Sequence, residues 1–230
     1  MKIAVIPARG GSKRLPGKNI RIFNGVPMVV RAIRTAFEAA MFERIIVSTD
    51  DLEISKIAQS AGAEVPFIRP SSLANDTAGT VPVIAHTIEF LVAQGIKPSK
   101  VCCIYPCTPF LRTDDLLAAY TLLESSGEDF VYPVAEYPHP ILRAIRLSKL
   151  GKTSFVFPEN EMKRTQDLET TYHDVGQFYW GEADAWLAGK RMHTAGIGMV
   201  VPSWRFVDID TEDDWHRAEL ISRALDEWSA

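Results

Sequence analysis

Two groups of residues carry side chains and spacing suited to chemistry. Between residues 8 and 19 the chain reads ARGGSKRLPGKN, with Gly10, Gly11 and Gly17 interleaved with Arg9, Lys13, Arg14 and Lys18. Glycines free the backbone to turn its N–H groups toward one point, and the cations add charge, so such a loop can wrap a polyphosphate. The charge pattern agrees. Lys2, Arg9, Lys13, Arg14, Lys18, Arg21, Arg31 and Arg34 all precede the first acidic residue, Glu38, in a chain of net charge −4. A solvated basic turn is the alternative to a bound anion. The second group is Asp208-Ile209-Asp210. On a strand end, residues two apart point to the same side, so both carboxylates can face one point. Hard oxygens there suit Mg²⁺, which keeps its other positions for water and phosphate. Equally, Asp208 and Asp210 extend the run Glu212-Asp213-Asp214, whose negative charge favours a helix N-terminus.

Three weaker stretches accompany these. Arg69-Pro70 and Asn75 to Thr80 form a polar loop leading into a helix, whose backbone N–H groups could read a base edge or hold a phosphate. A plain helix cap at Asp76 or Thr77 serves as well. Tyr172 to Trp180 (YHDVGQFYW) is dense in side chains suited to a sugar, and His173 stands out at the start of a strand expected to end at the site. Two familiar phosphate loops are excluded. Gly11 and Gly17 enclose five residues where a Walker A loop has four, and Lys18 is followed by Asn19 instead of Ser or Thr. The dinucleotide fingerprint is missing, and no Ser-His-Asp order or metal-type histidine spacing points to a hydrolase.

The elements that must position these groups alternate strand and helix. Lys2 to Ile6 reads as a buried strand stopped by Pro7. Pro27 to Ala40 has helical apolar spacing, followed by a strand Arg44 to Ser48 and a helix Leu52 to Ala61 capped by Thr49 or Asp50 and closed by Gly62. A short strand Val65 to Ile68, a helix Val81 to Ala93 and a strand Val101 to Tyr105 come next. Thr113 caps a helix Asp114 to Glu124, and strands follow at Phe130 to Val134, Val175 to Trp180 and Ala195 to Val201. The last helix opens at Thr211, with Asp214 completing a capping box and Trp215, Ala218, Ile221, Ala224, Leu225 and Trp228 as its buried stripe. Apolar strands alternating with helices mean a parallel sheet covered on both faces, with ligands beyond the carboxyl ends of the strands. That gathers Pro7 to Asn19, Ser48 to Asp51, Arg69 to Thr80 and Pro106 to Thr113 at one edge.

Between Ala135 and Tyr172 the rhythm breaks into prolines and short alternating runs, an inserted hairpin and loop too small to fold alone. The remainder, at 230 residues and 47% hydrophobic, is expected to form a single domain. The confined basic patch argues against nucleic-acid binding, and no apolar run of about 18 residues suggests a membrane span. Pro7 and Arg9 interrupt any signal-peptide core, and the odd, clustered Cys102, Cys103 and Cys107 suit a reducing compartment. A cytoplasmic protein is expected.

ARGGSKRLPGKN also resembles the nucleotide-binding loop of sugar-acid cytidylyltransferases, the family containing the CMP-sialic acid synthetases. IIVSTDD, RPSSLANDTAGT, YPCTPFLRTDD and DIDTEDDW follow in that family's order and spacing, so the likeness spans nearly the whole chain. It implies an α/β, mostly parallel sheet in a Rossmann-like, GT-A-like three-layer nucleotidyltransferase fold, with residues 135–172 as a dimerisation arm and a homodimer as the assembly. It implies CTP held by Ala8, Arg9, Gly10, Gly11, Ser12, Lys13, Lys18, Asn19, Arg69, Ala78 and Thr80. Asp208 and Asp210 would hold Mg²⁺, and with Arg9 and Lys18 they would form the catalytic set. The implied reaction is attack of a sugar-acid anomeric hydroxyl on the α-phosphorus of CTP. Two runs depart from the sialic acid pattern, Tyr105 to Arg112 and His173 to Gly176, both on the sugar side. With RTQDL at Arg164 to Leu168, they look like the branch that activates pseudaminic acid. Tyr105, His173 and Gln177 would then face the sugar, and Arg164 and Gln166 could reach a neighbour's site.

Overall fold

The computed structural model describes residues 1–228. In chain order it runs β1 (Lys2–Pro7), a small ribbon of β2 (Ile22–Phe23) and β3 (Val26–Pro27), α1 (Met28–Glu38), β4 (Arg44–Ser48), α2 (Leu52–Ser60), α3 (Thr80–Ala93), β5 (Lys100–Ile104), α4 (Thr113–Ser126) and β6 (Phe130–Glu136). A hairpin of β7 (Ile145–Leu147) and β8 (Thr153–Phe155) follows, then β9 (Tyr172–Asp174), β10 (Phe178–Glu182), α5 (Ala183–Leu187), β11 (Gly196–Val200) and α6 (Glu212–Trp228).

The main sheet has the order β11-β6-β10-β5-β1-β4, with β9 paired to β6. β4, β1 and β5 are parallel, as are β6 and β11. β10 runs antiparallel to both of its neighbours, and β9 antiparallel to β6. Period-two alternation divides the core into two layers. Ala4, Ile6, Cys102 and Ile104 face α1, α2 and α4, while Ile3, Val5, Val101 and Cys103 face α3 and α5. The fold is therefore three-layered and mostly parallel, and the adjacent cysteines pack on opposite faces.

Several local expectations are revised. Asp51, not Thr49 or Asp50, caps α2, its carboxylate accepting from the N–H groups of Glu53 and Ile54 at 2.7 and 3.0 Å. α4 begins at Thr113 itself, with no side-chain cap from Arg112 before it. The strand expected at Val65 to Ile68 is reduced to two isolated bridges, Ile46 to Glu64 and Thr49 to Ile68. Val175 to Trp180 is not one strand, because Gly176 turns at φ 62° and separates β9 from β10. Asp208 and Asp210 lie on irregular extended chain with no strand partner. At α6 the expected box forms: Thr211 N–H donates to Asp214 Oδ2 at 2.9 Å, and Asp214 N–H to Thr211 Oγ1 at 3.3 Å. Trp215 and Ala218 are buried there, but Ala224 is exposed, and the Trp228 side chain lies outside the described residues.

A separate small core of Leu15, Phe23, Met28, Val207, Ile209, Trp215 and Ala218 ties the glycine-rich loop to the segment before α6. This cluster brings the two ends of the chain together at the carboxyl edge of the sheet. Residues 141–170 carry exposed apolar side chains, among them Ile145, Leu147, Leu150 and Met162. No helix among the described residues is long and apolar enough to cross a membrane.

Candidate active site

Two adjoining cavities open where β1, β4 and β5 end. One, of about 200 Å³, is lined by Arg9, Lys18, Asn19, Arg69, Ala78, Thr80, Tyr105, Cys107, Gly176 and Asp208 among others. The second, of about 600 Å³, shares Arg9, Lys18, Asn19, Tyr105 and Asp208 and adds Ser12, Lys13, Arg14, Asp76 and Asp210. Of the glycine-rich loop, Arg9, Ser12, Lys13, Lys18 and Asn19 thus surround one space with Arg69, the Ala78–Thr80 turn, Tyr105 and both aspartates, whereas Ala8, which is buried, and Gly10 and Gly11 line neither cavity.

The loop is held from beneath. Gly10 N–H donates to Asp50 Oδ1 at 3.0 Å, and the buried Asn19 side chain donates to the Arg9 carbonyl at 2.8 Å. Cys107 lies under the same turn, its Sγ 3.4 Å from Asn19 Oδ1. Burial pushes that thiol up to about 12, so it acts as a weak neutral donor and not as a thiolate. Arg69 is buried, with its guanidinium on the carbonyl and hydroxyl of Ser48. Desolvation lowers its pKa to about 10, which leaves it a cation at neutral pH on the cavity floor.

Val207 and Ile209 turn into the small core while Asp208 and Asp210 turn outward to the cavity, so alternation along an extended segment places both carboxylates on one side without a strand. Lys18 Nζ donates to the Ile209 carbonyl at 2.9 Å and to Asp210 Oδ1 at 3.1 Å, and Arg14 meets Asp210 Oδ2 at 2.6 Å. Asp208 has no such cation; burial and then the charge of Asp210 raise its pKa. Two carboxylates, one of them under-compensated, beside a cavity lined with Arg9, Lys13, Arg14 and Lys18 are a donor set that a hard divalent ion fits.

Asp76 was a candidate cap in the sequence, but its carboxylate instead bridges Arg9 Nη1 at 2.7 Å and Lys13 Nζ at 2.5 Å. Those two partners, Lys13 first, hold its pKa below the usual carboxylate value. Asn75 makes the turn, its Oδ1 accepting from the N–H groups of Thr77 and Ala78 at 2.9 and 2.8 Å. α3 starts from Gly79 with no side-chain cap.

On the other wall, Thr80 Oγ1 is hydrogen-bonded to the Tyr105 hydroxyl, and the Tyr105 ring meets Tyr179 edge-on with centroids 5.5 Å apart. Burial raises the Tyr105 phenol, so it remains protonated. His173 is not on this wall: its ring packs between Tyr137 and Phe206, and Nδ1 lies against the Asp174 carbonyl. Gln177 is buried and donates to the Arg205 carbonyl at 3.1 Å. Arg164 pairs with Asp167, and Gln166 lines a separate hollow beside Tyr137. Within one chain these four do not join the cavity. Asp50 and Asp76, which shape the site, were read in the sequence only as candidate helix caps, and Asp174 only as part of a sugar-side run in which His173 was singled out. The only signal for them is an aspartate beside a glycine or a cation that becomes a neighbour only on folding.

The family model for cytidylyltransferases matches residues 3–186. The pseudaminic acid cytidylyltransferase of Campylobacter jejuni is 36% identical over 223 residues, 95% of each chain. The post-translational flagellin modification protein B of Campylobacter coli is 45% identical over 225 residues, 95% of this chain and 94% of that one. Among solved structures, a CMP:2-keto-3-deoxy-manno-octonic acid synthetase complexed with CTP superposes with a TM-score of 0.72, covering 97% of this chain and 98% of that one. Its 16% identity speaks to the fold alone. With most of the chain matched by the family model and relatives aligned almost end to end, the chain belongs to the cytidylyltransferase family.

Proposed function

We propose that this protein activates a nonulosonic acid, pseudaminic acid, by transfer of a cytidylyl group from CTP, with release of pyrophosphate. The observation that carries the reading is the convergence of Arg9, Lys13, Lys18 and the carboxylates of Asp208 and Asp210 on one cavity, in a chain aligned over 95% of its length with a pseudaminic acid cytidylyltransferase.

In this reading the glycine-rich loop binds the triphosphate through its N–H groups, Ser12 and the cations, and Arg69 with the Ala78–Thr80 turn holds the nucleoside. The anomeric hydroxyl of the sugar acid attacks the α-phosphorus, an O–P bond forms, and the bond to the β-phosphate oxygen breaks in line. Arg9 and Lys18 offset the charge that spreads over the phosphoryl oxygens, so positioning and electrostatics do most of the work. Asp208 and Asp210 would hold Mg²⁺, whose chemistry when bound is to neutralise phosphate charge and orient the reacting groups. Triphosphate binding requires Arg9 and Lys13 to exchange Asp76 for phosphate, and Lys18 and Arg14 to loosen from Asp210. The exposed apolar side chains of residues 141–170 support an arm that docks on a second copy in a homodimer, and Arg164 and Gln166 would approach the neighbour's site from that arm.

The test is pyrophosphate release from CTP and Mg²⁺ with pseudaminic, N-acetylneuraminic and legionaminic acids offered separately, with EDTA and an Asp208→Asn/Asp210→Asn variant as controls. Turnover confined to pseudaminic acid and lost in both controls is expected. Turnover with another acid alone would overturn the substrate, and turnover in EDTA the metal.

A further inference from the structure

The wall of the cavity opposite the phosphate loop is organised by one carboxylate with no part in the chemistry described so far. Asp174 closes β9, and its side chain is about a quarter exposed, at 23%. It receives three hydrogen bonds from three different places. Oδ1 accepts from Gly176 N–H at 2.7 Å, Oδ2 accepts from the Tyr179 hydroxyl at 2.7 Å, and His193 Nε2 lies 2.7 Å from the same oxygen. Each partner leads to the cavity or braces what does. Gly176 lines the cavity directly. Tyr179 stands on β10 between Tyr105 and Tyr132, at centroid distances of 5.5 and 5.9 Å. Tyr105 in turn is hydrogen-bonded to Thr80, and both line the cavity. His193, from the loop before β11, packs edge-on against Tyr132 at 5.1 Å and closes the cluster from the solvent side.

We infer that Asp174 is the positioning residue of the sugar-acid side, holding Gly176 and the Tyr179–Tyr105 wall in the geometry that recognises the acceptor. The inference rests on the proposed reading that the acceptor is a sugar acid bound across this wall. It assigns to Asp174, acting through its neighbours, the part that the sequence suggested for His173 and Gln177, whose side chains are engaged elsewhere. The phosphate-side groups Arg9, Lys13, Lys18, Asp208 and Asp210 share no hydrogen bond with the network, which meets the nucleoside side at the Tyr105–Thr80 hydrogen bond. Loosening the network should therefore weaken the acceptor more than the nucleotide.

Asp174→Asn supplies a sharp test because an amide has a single oxygen. Whichever way it flips, either the Gly176 N–H or the pair of donors from Tyr179 and His193 loses its acceptor. Tyr179→Phe removes only one hydroxyl and keeps the ring packing, so it guards against a variant that fails to fold. Steady-state kinetics would be run with whichever acid the wild-type enzyme uses, alongside CTP binding measured without acceptor. A lost hydrogen bond to a charged group is expected to raise the acceptor KM about tenfold or more in both variants, with CTP affinity within about twofold of wild type. An unchanged acceptor KM in both, or an equal loss of CTP affinity, would overturn the inference while leaving the proposed reaction intact. Failure of the wild-type enzyme to use any sugar acid would overturn both.

Discussion

Gly10→Ala tests how the phosphate loop is held. Gly10 has an ordinary φ, so an alanine backbone is allowed there; the restriction is one of space. A Cβ at this position would lie 2.6 Å from Asp51 Oδ2, 2.9 Å from Asp51 Cβ and 3.1 Å from Asp51 Cγ. Relief can come in two ways. If Asp51 swings aside, its contacts to Glu53 and Ile54 are lost, and with them an N-cap worth about 1 kcal/mol. If the loop moves instead, the Gly10 N–H leaves Asp50, a bond to a charged acceptor worth about 1.5–3 kcal/mol. The expected loss is therefore about 1–3 kcal/mol, which at this chain length lowers Tm by about 2–12 °C. Loop movement would in addition raise the KM for CTP, by about tenfold for each 1.4 kcal/mol of lost binding. The decisive assay repeats Gly10→Ala in an Asp51→Gly background. All three close atoms belong to the Asp51 side chain, and glycine is itself a tolerated N-cap, so the alanine should cost almost nothing there. Equal Tm losses in the two backgrounds would refute the steric reasoning.

Three further outcomes follow from other parts of the fold. Arg205 and Asp115 form a largely buried ion pair, so Arg205→Met should cost about 3–5 kcal/mol in urea unfolding. The double change Arg205→Met/Asp115→Leu should recover much of that loss, since no charge is left unpaired; additive losses would rule this out. Arg44, mainly through hydrogen bonding, holds the Glu64 carboxyl below its ordinary 4.5. Its stabilisation is thus present above that pH and lost as pH falls through the lower folded value. Glu64→Gln should flatten the acid limb of a Tm-against-pH curve without changing its neutral slope, and an unaltered acid limb would contradict the assignment. Finally, Leu147→Asp/Leu150→Asp places charge on an exposed apolar hairpin and should convert the proposed homodimer to monomers in sedimentation experiments while leaving Tm of the chain nearly unchanged.

The strand and helix rhythm was legible because it depends on local periodicity. The short apolar runs Lys2 to Ile6 and Val101 to Tyr105 and the helical spacing after Pro27 each lie within a few turns of chain. Element ends were less legible. Asp51 caps α2 while Asp50 accepts from Gly10 N–H and Thr49 Oγ1 from Asp51 N–H, and the Val65–Ile68 segment is left with two isolated bridges. The turn at Gly176 was hidden inside an apolar run that reads as one strand. β10 also enters the sheet antiparallel, so it is its beginning, not its end, that meets the site.

By itself the sequence determined the cationic, glycine-rich character of residues 8–19, the alternating layers that put four loops at one edge, and the presence of two aspartates two residues apart. Each of these follows from residue type and short spacing. Only the tertiary structure decided which side chains share a cavity. Lys18 and Asp210 are 192 residues apart in sequence, and a core of Leu15, Ile209 and Trp215 brings them to 3.1 Å. The same folding turns His173 and Gln177 toward other partners and gives Asp174 three donors from separate elements. Such choices depend on long-range packing and on where each buried donor finds its acceptor, and no local pattern encodes that.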